Sequence, residues 1–521
     1  MAGTGRPPRD RPRPGPGGSR SRADPARRAA YDVLRAVADR DAYANLLLPA
    51  LLAKRGLTDR DAAFATELTY GTLRGRGTYD AILAACSDRD QLDPPVRDVL
   101  RLGAHQLLAT RVGSHAAVAT SVDLAKDVCG PRPSGFVNAV LRRVGTRDLE
   151  TWIAVIAPSR DRDPSGYLAV RHSYPRWIID AFRDALGEPR AAELEDALAA
   201  GNVRPDVVLA VMPDRAGATT PAPPAPSPPD PLSAQDPLYP QDPPCPPDPA
   251  SLLGSGEFAA PTRWSPYGLR LAAGDPAPLV ASGKAAVQDE ASQLAALALA
   301  RVPLTGAAGR DRLWLDLCAG PGGKARLLSG LAVHGGARLV ASDIRPHRAA
   351  RVRAALRLAR PAPDHTAAVV VADGLRVPWR PGTFDRVLAD VPCSNLGSLR
   401  RRPEARWRKT QADVQNLTGL QRGLLNAAID SVRPGGVVAY VTCSPHLAET
   451  REVVTAVADG RGDVAILDAP AVLAEVPDLR CPVPQSPAEN PRQDPRHARF
   501  AQFWPHRHGT DAIFLALLSR G

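Results

Sequence analysis

The sequence predicts a multidomain chain in three parts: an all-α N-terminal domain, a small mixed α/β subdomain, and a C-terminal α/β domain built on a doubly wound sheet. Three observations predict this. Residues 24–148 repeat Ala, Leu and Val at three- and four-residue steps with no alternating run. Residues 149–285 mix one helical stretch with short apolar runs and a proline-dense insertion. From 286 to 521, apolar runs of five to seven residues alternate with helical stretches, the signature of a mainly parallel sheet covered on both faces.

Residues 1–23 read as a disordered basic tail. Residues 1–28 hold eight Arg against Asp10 and Asp24, so about half of the net charge of +11 sits there. Such a balance fits a polyanionic partner, because phosphate contacts release counterions. The helical domain is punctuated by cap-like residues: Asp24-Pro25, Thr58-Asp59 and Asp93-Pro94-Pro95 each open a helix. In the middle region a helical stretch covers Trp177 to Ala200, and Val207 to Val211 is a short apolar run. The insertion at 213–250 carries 15 prolines in the 37 residues from Pro213 to Pro249, which denies donors to helix and sheet.

In the C-terminal region the strand candidates are Leu313 to Leu317, Arg338 to Ser342, Ala367 to Ala372, Val387 to Ala389, Val437 to Val441 and Ile513 to Leu518. Helical stretches such as Arg348 to Leu358 and Thr418 to Val432 separate most of them. Ligands of such sheets bind beyond the carboxyl ends of the strands.

Composition narrows the class further. Seven Cys without a regular framework point to a reducing compartment rather than a disulfide scaffold. No apolar stretch follows the N-terminal arginines and no run approaches 18 apolar residues, so a soluble, cytoplasmic protein without membrane association is expected. The ten His do not pair with Cys at ligand spacing, and no metal is expected.

The first strand runs into Asp316-Leu-Cys-Ala-Gly-Pro-Gly-Gly-Lys324, a glycine-rich turn at a helix amino end, suited to close approach of an anionic ligand. Position 325 is Ala, which fails both the dinucleotide pattern and the phosphate-binding loop, and leaves a methyl-donor site as the best fit. Asp343 follows the second strand, where a carboxylate can accept from two ribose hydroxyls, and Asp373 closes the third. Two further segments place a Cys just past a strand: Asp390-Val-Pro-Cys393-Ser and Val441-Thr-Cys443-Ser. Neighbouring strands aim both thiols into one crevice.

Carbon 5 of cytosine is a poor nucleophile. Addition of a thiolate to C6 gives C5 carbanion character, which is chemistry a cysteine can supply. An Asp beside the base promotes addition through N3, a role that suits Asp390. The base must leave its stack to meet both thiol and donor. Between the cysteines lies Leu399-Arg-Arg-Arg-Pro-Glu-Ala-Arg-Trp-Arg-Lys409, in which Arg400, Arg401, Arg402, Arg406 and Arg408 suit phosphates and Trp407 suits base stacking.

These motifs resemble a known family. Residues 286–520 resemble the catalytic domain of the RNA 5-methylcytosine methyltransferases, through Val287-Gln-Asp-Glu-Ala-Ser292, Cys318-Ala-Gly-Pro-Gly-Gly-Lys324, Ala341-Ser-Asp343, Pro392-Cys393 and Thr442-Cys443. Residues 24–146 resemble the NusB-type RNA-binding helical domain, through Tyr70-Gly-Thr-Leu-Arg74, Leu100-Arg-Leu-Gly-Ala-His-Gln-Leu107 and Phe136-Val-Asn-Ala-Val-Leu-Arg142. The fusion is similar to the RsmB (Sun, Fmu) type, the 16S ribosomal RNA cytosine-5 methyltransferases.

The resemblance implies S-adenosyl-L-methionine as cofactor, a Rossmann-like methyltransferase domain, and 16S ribosomal RNA as partner. It implies Cys443 as nucleophile and Cys393 as the residue that assists product release, with Asp390 and Lys324 in the catalytic set. Cys318, Ala319, Gly320, Pro321, Gly322, Gly323, Lys324, Asp343, Asp373 and Asp390 are implied to line the donor and base pocket. His172-Ser-Tyr-Pro-Arg-Trp177 resembles the entry to the family's small RNA-recognition subdomain. Two departures bear on base positioning: Ser394-Asn-Leu-Gly397 stands where Ser-Gly-Thr-Gly is common, and Pro445-His-Leu-Ala-Glu-Thr450 where an acidic pair is common. Two rival functions remain: 5-methylcytosine formation in transfer RNA or another RNA, and an RNA-binding module with a vestigial catalytic domain.

Overall fold

The computed structural model describes residues 23–89, 91–188, 190–212, 259–272, 275–305, 311–358, 367–474, 476 and 494–521. The tail as far as residue 22 and the whole insertion at 213–250 lie outside the described residues. Contacts divide the chain into two compact units, 1–157 and 158–521, where the sequence pattern put a boundary at 148.

The first unit is helical: α1 (Pro25–Arg40), α2 (Ala44–Arg55), α3 (Asp59–Arg74), α4 (Arg76–Cys86), α5 (Pro94–Ala109), α6 (Ser114–Cys129), α7 (Ser134–Val144) and α8 (Leu149–Ile156). Its starts follow the cap residues. Asp24 accepts a hydrogen bond from Arg27 N at 2.9 Å with Pro25 in the first turn, and Asp93 precedes the Pro94 that opens α5. The three- and four-residue apolar steps converge inside, where Tyr31, Leu34, Val99, Leu102, Val137 and Leu141 share one core.

The second unit opens with α9 (Pro164–His172), α10 (Arg176–Leu186) and α11 (Leu194–Ala200). A four-stranded antiparallel sheet follows, from β1 (Val207–Val211), β2 (Ala259–Pro261), β3 (Gly268–Leu271) and β4 (Ala285–Val287) in the order β2-β3-β1-β4, with α12 (Ala277–Ala281) before its last strand. The larger sheet comes next: α13 (Glu290–Arg301), β5 (Leu313–Asp316), α14 (Gly323–His334), β6 (Arg338–Asp343), α15 (Pro346–Leu358), β7 (Ala368–Val371), β8 (Phe384–Asp390), α16 (Gln411–Ser431), β9 (Val432–Thr442), α17 (Arg451–Asp459), β10 (Val464–Leu467), α18 (Ala469–Val472), β11 (Ala501–Gln502), α19 (Pro505–His508) and β12 (Phe514–Arg520).

Its order is β10-β12-β9-β8-β5-β6-β7, with β11 paired to β12. Strands β5 to β9 pair in parallel, while β12 runs antiparallel between β9 and β10. The chain winds outward from β5 in both directions, so the switch point that favours ligands lies between β5 and β8. Side chains alternate across the sheet: Trp314, Leu388 and Val441 enter one core, and Leu315, Val387 and Tyr440 the other. Helix α16 begins at Gln411, seven residues before the expected Thr418. Thr410 and Asp413 form a reciprocal capping box that fixes the earlier start.

A third core joins the small helices to the sheet's loops: Phe182 and Leu198 pack with Leu396, Leu399, Trp504 and Ala512. The segment after Cys393 is thereby held against α10 and α11. No helix of the described residues is long and apolar enough to cross a membrane, and among them no cluster of three or more His, Cys, Asp or Glu suits a metal.

Candidate active site

The turn after β5 is sewn to β6. Ala319 N donates to Ser342 O at 2.8 Å, Ser342 Oγ to Leu317 O at 2.7 Å, and Gly320 N to Asp343 Oδ2 at 3.1 Å. Arg345 N donates to Asp343 Oδ1 at 2.9 Å, and Arg348 donates to Gly320 O. Asp343 thus braces the glycine turn. A Cβ on Gly320 would stand 2.3 Å from its carboxylate, so only glycine allows this approach. Within the same turn Ala319 and Gly322 are buried, Cys318, Gly323 and Lys324 half-buried, and Pro321 exposed. Burial, followed by the Asp316 and Asp390 charges, pushes the Cys318 thiol up, which makes it an inert wall. Asp373 lies at the same strand end, accepting from Leu375 N at 2.9 Å in a turn.

Lys324 reaches from the first turn of α14 to the end of β8. Its Nζ donates to Asp390 Oδ2 at 2.9 Å, with the lysine side chain 12% exposed. Burial pulls this ammonium down, but the Coulombic attraction and hydrogen bond of Asp390 outweigh it, with smaller help from Cys443 and Asp316, and the net shift is upward. Lys324 therefore remains a cation. Beneath them Asp316 is fully buried, and burial first, then the Asp390 charge, pushes its carboxyl up to about 8 against the pull of Lys324. At neutral pH Asp316 is mostly protonated, leaving one cation and one carboxylate in the pair above it.

The cysteines meet across adjacent strands. Val391 N donates to Val441 O at 3.1 Å, Gly397 N to Cys443 O at 2.8 Å, and Ala512 N to Gly397 O at 2.9 Å. A Cβ on Gly397 would fall 1.8 Å from Ala512 O, so this closure of three chain segments also needs glycine. Cys393 Sγ stands 3.1 Å from Cys443 Sγ. The hydrogen bond to Cys443, followed by burial, holds the Cys393 thiol well above the usual thiol range.

One buried carboxylate holds the Cys393 turn and reaches the Cys443 turn through Ser394. Glu449 accepts from Ser394 N at 2.7 Å, from the Ser394 hydroxyl, and from Gln421 Nε2 at 3.1 Å. Ser394 Oγ in turn touches Ser444 Oγ at 3.1 Å, and Gln421 Nε2 also donates to Pro392 O at 2.9 Å. Glu449, Gln421, Asn395 and Asp316 had no assigned part in the sequence reading. Asn395 and Glu449 left a trace there only as members of segments that depart from the usual motif.

The arginine segment needs correction. Arg400, expected on phosphate, is buried and donates to Asp511 Oδ1 at 2.5 Å, Asp289 Oδ2 at 2.8 Å and Gly509 O at 2.8 Å. Arg401 shares both carboxylates, with NH2 2.9 Å from Asp289 Oδ2 and Nε 3.1 Å from Asp511 Oδ2. Arg406 is fully buried, donates to Tyr174 Oη and Gly201 O at 2.9 Å each, and stacks 3.7 Å from the Tyr174 ring centroid. These three guanidiniums brace the interior, because carboxylates and carbonyls distant in sequence already fill their forks. Arg402, Trp407 and Arg408 are half-buried.

Comparison with known proteins agrees with this architecture. Residues 306–519 match the family described as 16S rRNA methyltransferase RsmB/F, and residues 24–146 match the NusB family. A Mycobacterium tuberculosis protein provisionally named a methyltransferase, Rv1407, is 46% identical over 506 residues, covering 95% of this chain and 97% of that protein. The ribosomal RNA small subunit methyltransferase B of Pseudomonas putida is 31% identical over 439 residues, covering 82% and 88%. The solved structure of PH0851 shares the fold at TM-score 0.68 and 19% identity, covering 95% of this chain and 98% of that one. The chain belongs to the RsmB/F family of 16S rRNA methyltransferases, with a NusB-family domain at its amino-terminal side.

Proposed function

We propose that the protein methylates C5 of a cytosine in 16S ribosomal RNA, with S-adenosyl-L-methionine as donor and Cys443 as a transient covalent nucleophile at C6. The observation that carries this is the thiol pair, 3.1 Å apart at the ends of β8 and β9, beside the Lys324–Asp390 pair. Bound at the turn from Cys318 to Lys324, with Asp343, Asp373 and Asp390 around it, the donor supplies an electrophilic methyl group. The glycine turn and the amino end of α14 suit its carboxylate.

Addition of the Cys443 thiolate to C6 drives negative charge into the ring. Lys324 stabilises that charge from a site where water is mostly excluded, and the Asp390 carboxylate, fixed by Lys324, accepts from the exocyclic amino group of the base and from N3 once solvent has protonated it. After methylation a base removes the C5 proton, and the C6–sulfur bond breaks with its electrons returning to Cys443. Cys393 is held protonated 3.1 Å from that sulfur, so its S–H stabilises the departing thiolate. This accounts for a role in product release. Arg402, Trp407 and Arg408, with the NusB-like domain at 24–148 and the subdomain at 149–285, serve RNA binding in this reading, and the cytoplasm is the compartment it requires.

Labelled donor, protein-free 16S RNA and transfer RNA, followed by nucleoside analysis, test the assignment. Label in 5-methylcytosine of 16S RNA is expected. Label in another nucleoside refutes the product, label only in transfer RNA refutes the substrate, and binding without turnover leaves the vestigial alternative.

A further inference from the structure

Asn395 sits in the left-handed region at φ 64, a conformation that favours glycine, and is half-buried between the Cys443 thiol and the Cys393 carbonyl. Its Nδ2 donates to Cys393 O at 2.8 Å, and its Oδ1 accepts from Cys443 Sγ at 3.0 Å. The first bond fixes the sense of the second. With the amide nitrogen committed to a carbonyl, only an oxygen faces Cys443, and an oxygen there can only accept. Cys443 has one proton and gives it to Asn395, so the contact at 3.1 Å between the thiols must have Cys393 as donor. The result is a closed ring: Cys393 S–H to Cys443, Cys443 S–H to Asn395 Oδ1, Asn395 Nδ2 to Cys393 O.

We propose that Asn395 is a further catalytic residue of this chain, a latch that holds the Cys443 thiol while it is protonated and releases it when it ionises. The inference rests on Cys443 being the nucleophile, as proposed above. While the proton is on sulfur, the carboxamide oxygen fixes the thiol's direction and keeps its lone pairs turned from incoming electrophiles. Once the proton passes to solvent water, the same oxygen faces an anion with nothing to share and repels it. The sulfur is then freed toward the Lys324 ammonium, while Cys393 still donates to it.

The test is the rate of iodoacetamide alkylation of Cys443, followed by peptide mapping in the full-length protein, together with methyl-transfer kinetics. Asn395→Gly suits the left-handed backbone and removes the acceptor; alkylation of Cys443 is expected to accelerate about fivefold, the equivalent of one ordinary hydrogen bond. Asn395→Asp loses the bond to Cys393 O but sets a charged acceptor beside Cys443 that disfavours its thiolate, and alkylation is expected to slow by a similar factor. Opposite signs separate a latch from a general loosening of the fold, and the donor KM should stay fixed in both. Equal Cys443 rates in the three proteins, or acceleration in both variants, overturns the latch. Turnover by Cys443→Ala overturns the underlying nucleophile assignment instead, so the two failures are distinguishable.

Discussion

Cys393 Sγ lies 3.1 Å from Cys443 Sγ although 50 positions separate them in sequence. The contact follows from the register of two parallel neighbours, in which Asp390 of β8 pairs with Val441 of β9, so that each cysteine leaves its strand at the same level. If Cys393 assists departure of the Cys443 sulfur, Cys393→Ala should accumulate an RNA–protein adduct that survives a denaturing gel. Adding Cys443→Ala should abolish it. A Cys393→Ala protein that turns over normally with no adduct would remove Cys393 from the release step.

The Lys324–Asp390 pair should act on the chemical step. Replacement Lys324→Met keeps an unbranched side chain, one atom shorter, and deletes the charge; kcat is expected to fall on the order of 10²-fold or more, the usual loss for one electrostatic donor. Steady-state kinetics with donor and RNA varied separately measure it. A change confined to the donor KM would make Lys324 a binding residue only.

Asp316 predicts a pH effect on stability. Its carboxyl is pushed up to about 8 in the fold by burial and Asp390, and returns to the ordinary range on unfolding. The folded protein therefore holds more protons than the unfolded chain between about pH 4 and about pH 8. Its contribution is complete below that window and declines as pH rises through it. Asp316→Asn cannot ionise, so its melting temperature should fall less than that of the parent between pH 5 and pH 9. Parallel melting curves would show that Asp316 ionises as freely in the fold as outside it.

Loss of Glu449 should destabilise the fold and the thiols together. Glu449→Ala strands the Ser394 amide and hydroxyl and the Gln421 amide, and an expected cost of about 2–4 kcal/mol follows from leaving buried donors unsatisfied. Urea denaturation measures it. Glu449→Gln, which still accepts through its carbonyl, should lose less.

The arginines of the segment 400–408 should separate into two behaviours. Arg406→Ala removes a fully buried guanidinium and should lower stability while leaving the salt dependence of RNA binding unchanged. Arg402→Ala and Arg408→Ala should each reduce the slope of log affinity against log salt by about one if they meet phosphates. Filter binding at several salt concentrations distinguishes them.

Strand positions in the larger sheet were legible because buried strands between helices leave short apolar runs: Leu313 to Leu317 and Arg338 to Ser342 fall on β5 and β6. The cysteines were legible because a strand end is a local feature. What escaped depends on partners far along the chain. Arg406 meets Tyr174 and Gly201 more than 200 positions away, and Arg400 meets Asp289 and Asp511 more than 100 away, so six cations in ten residues read as a phosphate surface. Glu449 looked like a weakened motif because its partners come from elsewhere in the chain, Ser394 from the loop after β8 and Gln421 from α16. The antiparallel β12 carries an apolar run like its parallel neighbours, and nothing in that run encodes direction.

The brace that Glu449 gives the Cys393 turn, passed on through Ser394 to Ser444 beside Cys443, has a cost for the nucleic acid. Two sulfurs mounted on one brace offer an incoming pyrimidine a rigid mould, so the adjustment falls on the RNA strand. Nucleotides in loose junctions, unpaired ends or incompletely assembled ribosomal particles surrender their stacking cheaply, whereas those locked in mature duplex do not. Target choice would then be sorted by how readily a stretch of RNA deforms, before any base edge is read.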